Sequence, residues 1–246
     1  MTRIAVISDI HGNCVALDTV LADLRTVAVD QVVCLGDAIQ GGAQPAETVR
    51  RLRELGCPVV MGNADAWLLT GVVTGNEPIT ETMERVRQWS LSQLSADDQA
   101  FVVAFAPTVT LPLSANRQLL CFHGSPTSFD DILLPTTPND EFRRLLSPHV
   151  PAIMTGGHTH LQQVRRLDHT FFFNPGSVGR PYSHDQPEEE GAFRVDPWAE
   201  YAVLSETDGT IGLEFRRVPL PVETLRQVLA GSSHPGTNKL LREYGF

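Results

Sequence analysis

The chain has 246 residues, a formal net charge of −10, and 42% hydrophobic and 20% charged residues. That length suits one large domain or two small ones with a sizeable core. The acidic balance disfavours stable nucleic-acid binding through a basic surface, and apolar runs such as FVVAFA at 101–106 are far too short to span a membrane.

In chain order, residues 3–8 (RIAVIS) read as a short buried strand that begins without a signal-peptide pattern. Val15, Leu17, Val20, Leu21 and Leu24 place a helix across 13–28. QVVCL at 31–35 is a second strand, 45–55 a second helix ended by Gly56, and 58–61 a third strand. The alternation predicts parallel pairing with helices on the sheet faces. Residues 79–105 read as helix in two pieces broken near Ser95, which with Asp98 forms a capping signature. The remainder is strand-rich. Three hairpins are expected: 108–113 with 118–122 around SANR, 161–167 with 170–173 around Asp168 and His169, and 201–206 with 211–218 around TDG. Helices are expected at 139–147 and 222–230, and a solvated acidic loop at 184–191. No repeat or linker appears, so a single domain over 1–246 is expected. Cys14, Cys34, Cys57 and Cys121 have no CxxC spacing and sit in or beside apolar segments. They read as buried free thiols in a reducing, cytoplasmic compartment.

The chemistry concentrates where strand-like runs end. VISDIHGN presents Asp9 and His11, VVCLGD presents Asp37, VVMGN presents Asn63, LLCFHG presents His123, and AIMTGGHTH presents His158 and His160. Sites in parallel α/β sheets form beyond the carboxyl ends of strands. Two side chains at i and i+2 of DIH, or of HTH, can converge on one ion. The donors are all nitrogen and oxygen, which suits Mn²⁺, Fe, Zn²⁺ or Ni²⁺ rather than a thiolate-bound zinc. Taken singly, each has a plain reading: Asp9 as a helix cap, Asn63 as a turn residue, Asp37 as a loop residue, His123 as a core histidine. Taken as an ordered set at five strand ends, they point to a metal site. His149, His169, His184 and His234 lack this context and read as surface or loop residues. His184 stands apart in following a candidate site loop.

The ordered set DIH, GD, GN, HG and GHTH resembles the calcineurin-like metallophosphoesterase superfamily. NPGSVGRP at 174–181 is similar to the segment found after GHTH in its small bacterial YfcE-like and diadenosine-tetraphosphatase-related branches. The resemblance implies an α/β fold, a four-layer αββα sandwich of two mixed β-sheets flanked by helices, with two divalent metal ions, Mn²⁺ first among them. It places Asp9, His11 and His160 on one ion, Asn63, His123 and His158 on the other, and Asp37 between them. It further implies a phosphoesterase acting on a small phosphorylated substrate. A metal-bridging hydroxide would attack phosphorus, with Asp37, Asp9 and His123 the residues closest to catalysis and Asn63 at the substrate side. A broad phosphomonoesterase and a non-catalytic scaffold on the same fold are the alternatives. Many relatives read GNHD or GNHE, and here Ala64 stands in place of that histidine, leaving Asp65 without a ring to orient. GDAIQGG lacks the arginine of the protein phosphatases, which disfavours that activity. Arg180 is a candidate phosphate contact, or else a plain surface arginine.

Overall fold

The computed structural model describes residues 1–75, 78–113, 117–147, 152–186 and 193–246. The first half runs β1 (Thr2–Ile7), α1 (Cys14–Leu24), β2 (Gln31–Cys34), α2 (Pro45–Leu55), α3 (Asn63–Thr70), α4 (Glu81–Gln93), α5 (Ala96–Val103), β3 (Val109–Pro112) and β4 (Gln118–Cys121). The second half runs α6 (Asn139–Leu146), β5 (Ile153–Thr155), β6 (Gln163–Leu167), β7 (Thr170–Asn174), β8 (Trp198–Thr207), β9 (Thr210–Pro219), α7 (Val222–Gly231) and α8 (Thr237–Glu243).

These strands form two mixed sheets, ordered β2-β1-β8-β9 and β3-β4-β5-β7-β6. In the first, β1 pairs parallel with β2 and antiparallel with β8. The parallel pair needs a crossover, and α1 supplies it. In the second, β4, β5 and β7 run parallel while β3 and β6 pair antiparallel at the edges.

Side-chain alternation along the strands builds the layers. Ala5 and Ile7 of β1 face a core shared with Leu17 and Val20 of α1, Leu52 of α2 and Leu229 of α7. Ile4 and Val6 face the other way, into a core between the sheets with Leu119 and Cys121 of β4 and Phe173 of β7. On the far face of the second sheet, Leu120 and Phe172 pack against Phe142 and Leu145 of α6. The result is the four-layer sandwich of two mixed sheets flanked by helices.

Most elements lie where the sequence places them, including all three hairpins and the break at Ser95, where a reciprocal Ser95–Asp98 capping box opens α5. Three differ. The strand expected at 58–61 makes only single parallel bridges, Val59 with Cys34 and Val60 with Ala106. The run is too short for a ladder before Gly62 turns the chain into α3, a helix that apolar periodicity does not reveal. The short α8 was also unexpected. His234 lies in the loop between α7 and α8 but is buried, whereas His169 and His184 are exposed. Cys14, Cys34 and Cys121 are buried free thiols and Cys57 is partly buried. Residues 114–116 of the SANR turn, His149 and residues 187–191 of the acidic stretch lie outside the described residues. Among the described residues no helix is long and apolar enough to cross a membrane.

Candidate metal centre

Asp9 and His11 follow β1, Asp37 follows β2, His123 follows β4, and His158 and His160 follow β5, while Asn63 opens α3. The carboxyl ends of strands from both sheets therefore meet at one rim. The first two loops are zipped together by backbone bonds from Asp9 N to Gly36 O (3.0 Å), His11 N to Asp37 O (2.9 Å) and Gly12 N to Ala38 O (2.9 Å). Five of the residues named, Asp9, His11, Asp37, His158 and His160, hold left-handed backbone angles, with φ between 48° and 68°. For residues with a Cβ this costs roughly 1–2 kcal/mol each, and such outliers cluster at functional sites. Gly62 is required by close approach, since a Cβ there would lie 2.1 Å from Asp37 Oδ1.

The side chains fall into two groups, Asp9 with His11 and His160, and Asp37 with His123 and His158. Within each group, ligand atoms lie within 4.8 Å of one another. His160 Nε2 is 3.3 Å from Asp9 Oδ1 and His123 Nε2 is 3.3 Å from Asp37 Oδ2. Asn63 Oδ1 completes the second group at 3.0 Å from His123 Nε2. Asp37 Oδ2 also lies 3.9 Å from His11 Nε2, so it stands between the groups. All seven residues singled out from sequence come together.

Three of the imidazoles are held in one tautomer. The Nδ1 protons of His11, His123 and His160 are donated to the carbonyls of Gln40 (2.8 Å), Leu35 (2.9 Å) and Arg180 (2.7 Å). Their Nε2 atoms are thereby turned inward, as they are in metal-binding histidines. His11 Nε2 and His160 Nε2 then face each other at 3.0 Å. Asp9 Oδ1 is buried with no hydrogen-bond partner. Two inward nitrogens beside this carboxylate oxygen repel one another unless a proton or a metal ion sits among them, and the nitrogen and oxygen donor set fits a metal ion.

The charges agree. Burial works against charge on Asp37, yet His123 and the other imidazoles hold its carboxyl well below the usual range. Burial would lower His123, but the Asp37 carboxylate overrides it and raises His123 to about 9. Burial and His160 push His11 down to about 4, and burial with His123 lowers His158. The centre holds acidic anions and calls for compensating positive charge.

Around this lies a supporting shell that sequence reasoning missed. The Asp65 carboxylate accepts from the amides of Ala38 and Ile39, each at 2.9 Å, clamping the loop behind Asp37. Asp65 is therefore far from idle without a histidine at 64. Burial and Asp37 raise it to about 7. Asn174 Nδ2 donates to Gly157 O (2.6 Å), Ser177 Oγ donates to Asp9 O (2.8 Å), and Asn13 caps α1. The GN-x-D spacing and the NPGS run were the available signals. Arg180 lies in the wall, its guanidinium bonded to Glu243 Oε2 at 2.8 Å. His184 stacks on Tyr182, whose ring lies 5.4 Å from that of His160.

Residues 2–196 match the calcineurin-like phosphoesterase superfamily domain. The chain belongs to that superfamily. By class it is a metal-dependent phosphoric ester hydrolase, and the family implies divalent metal ions. The Methanocaldococcus jannaschii protein MJ0912 is 28% identical over 194 residues, covering 73% of this chain and 77% of its own. A metallophosphoesterase from Sphaerobacter thermophilus superposes with a TM-score of 0.72 at 24% identity, covering 98% of this chain and 99% of its own. The Escherichia coli phosphoesterase YfcE superposes with a TM-score of 0.50 at 23% identity, covering 89% of this chain and all of its own (100%). The YfcE-like branch is thus among the structural neighbours of this calcineurin-like phosphoesterase.

Proposed function

We propose that the protein is a single-domain, cytoplasmic phosphoesterase using two divalent ions, Mn²⁺ first and Fe, Zn²⁺ or Ni²⁺ otherwise, to hydrolyse phosphodiester or phosphoanhydride bonds in a small substrate. The observation that carries it is the facing pair of His11 and His160 Nε2 atoms beside the buried Asp9 oxygen, with a second cluster of donors at Asp37, His123, His158 and Asn63. Asp9, His11 and His160 would hold one ion and Asn63, His123 and His158 the other, with Asp37 shared. Ions so placed supply an activated water and a positive clamp for phosphoryl oxygens. The chain orients the ligands through the Nδ1 bonds and the Asp65 clamp. Arg180, the candidate phosphate contact, has its guanidinium paired with Glu243, which offsets its charge. A single domain is supported by the C-terminal β8–β9 hairpin, which joins the N-terminal β1 in one sheet.

Ala64 bears on substrate choice. A basic alkoxide leaves better with a positioned proton donor, worth about 10²–10⁴-fold, and alanine offers none. Leaving groups already stable as anions, aryl oxides or phosphates of anhydrides, are therefore favoured over alkyl esters. A panel of phosphomonoesters, phosphodiesters and dinucleoside polyphosphates assayed with Mn²⁺ tests both points. Preference for alkyl monoesters would favour a broad phosphomonoesterase. Mn²⁺ binding without turnover of any substrate would replace this reading with a binding scaffold on the same fold.

A further inference from the structure

α8 lies beyond residues 2–196, the part matched to the superfamily, yet it reaches the metal centre. The buried Glu243 carboxylate accepts from Arg180 Nη2 at 2.8 Å. The backbone carbonyl of the same Arg180 accepts the Nδ1 proton of His160 at 2.7 Å. The next residue, Tyr244, accepts from Asn13 Nδ2 at 3.0 Å and donates its hydroxyl proton to Gly179 O. Asn13 caps α1 just after His11, and Gly179 N donates to Asp9 O at 3.0 Å. Leu229 of α7 and Leu240 of α8 line a narrow space with His11 and Gly41. Among the described residues, no hydrogen bond joins Glu243 or Tyr244 directly to Asp37, Asn63, His123 or His158.

A bound imidazole keeps its aim only if the acceptor on its other nitrogen stays put. The acceptor for His160 is a main-chain oxygen at the end of the NPGSVGR segment, and Glu243 anchors that residue by its side chain. Tyr244 anchors the preceding carbonyl and the cap beside His11.

We propose that Glu243 and Tyr244 are positioning residues for one half of the centre, Asp9, His11 and His160, acting through Arg180, Gly179 and Asn13. The C-terminal helix is then a brace that tunes the affinity of one ion and leaves the other alone. This rests on the two-ion reading above.

The test is Mn²⁺ titration of the full chain by calorimetry, with the spin-coupled Mn²⁺ pair followed by electron paramagnetic resonance. Glu243→Gln and Tyr244→Phe should each weaken one of two binding steps by about 10–100-fold and diminish the coupled signal. In a His160→Ala background, where that half is already lost, neither substitution should weaken binding further. In a His158→Ala background the full loss should persist. Isotherms identical to the parent, or equal losses in both backgrounds, would overturn the proposal. Thermal melts of the same variants identify misfolding, and if Glu243→Gln fails to fold, Tyr244→Phe alone carries the test. If the parent takes up no Mn²⁺, the two-ion reading falls first and this proposal with it.

Discussion

Asp37 touches both halves of the centre, and Asn63 touches one. Asp37 Oδ2 lies 3.3 Å from His123 Nε2 and 3.9 Å from His11 Nε2. It also carries a negative charge that two cations would share, whereas Asn63 is a single neutral donor. Asp37→Asn should therefore lower kcat/KM by more than the roughly 10–100-fold typical of disturbing groups behind a ligand, and by more than Asn63→Ala does. Initial rates at saturating Mn²⁺ check this. Equal activity of Asp37→Asn and the parent would remove the shared role. At this scale the donors were legible because their types recur at strand ends in a fixed order. The role of Asp65 was not, because its partners Ala38 and Ile39 lie 27 and 26 residues away in the chain. Nothing local announces a carboxylate aimed at distant amides.

Elements were legible where periodicity and caps agree. Ser95 shows this best: its hydroxyl accepts from Asp98 N at 3.1 Å and Asp98 Oδ2 accepts from Ser95 N at 3.1 Å. Aspartate does here what glutamate usually does. Ser95→Ala should destabilise the fold by about 1 kcal/mol, read as a shift in urea midpoint, with metal binding unchanged because α5 carries no ligand. An unchanged midpoint would show that the cap contributes nothing in solution. α3 escaped notice because its eight residues, NADAWLLT, bury only Asp65 and Leu68, too few to show a stripe. The 58–61 run misled in the opposite sense. Its valines are buried and extended, but bridge single residues of two neighbours instead of joining a ladder.

For the molecule as a whole, acid sensitivity follows from His234, which a reading by context leaves as a surface or loop residue. The ring is buried against Trp89, with centroids 4.9 Å apart, and its Nδ1 accepts from Gly236 N at 2.9 Å. Only a neutral ring can accept there. Burial and the charge of Arg180 push its pKa from 6.5 down to about 4. Between these values the unfolded chain takes up a proton that the folded chain refuses. Stability is therefore undiminished by this group above pH 6.5 and declines as pH falls toward 4, each unit being worth about 1.4 kcal/mol. His234→Gln should lessen the drop in urea midpoint between pH 7 and pH 5 relative to the parent, and an identical drop would count against it. The left-handed backbone at Asp9, His11, Asp37, His158 and His160 has a consequence at the scale of descent. Glycine at any of these positions would relax the main chain while deleting a donor, so His158→Gly should melt higher than His158→Ala in metal-free buffer. Catalysis and durability then pull in opposite directions at the same codons. A lineage released from the reaction would gain robustness by losing these side chains, and its history would be written first as glycines at the rim.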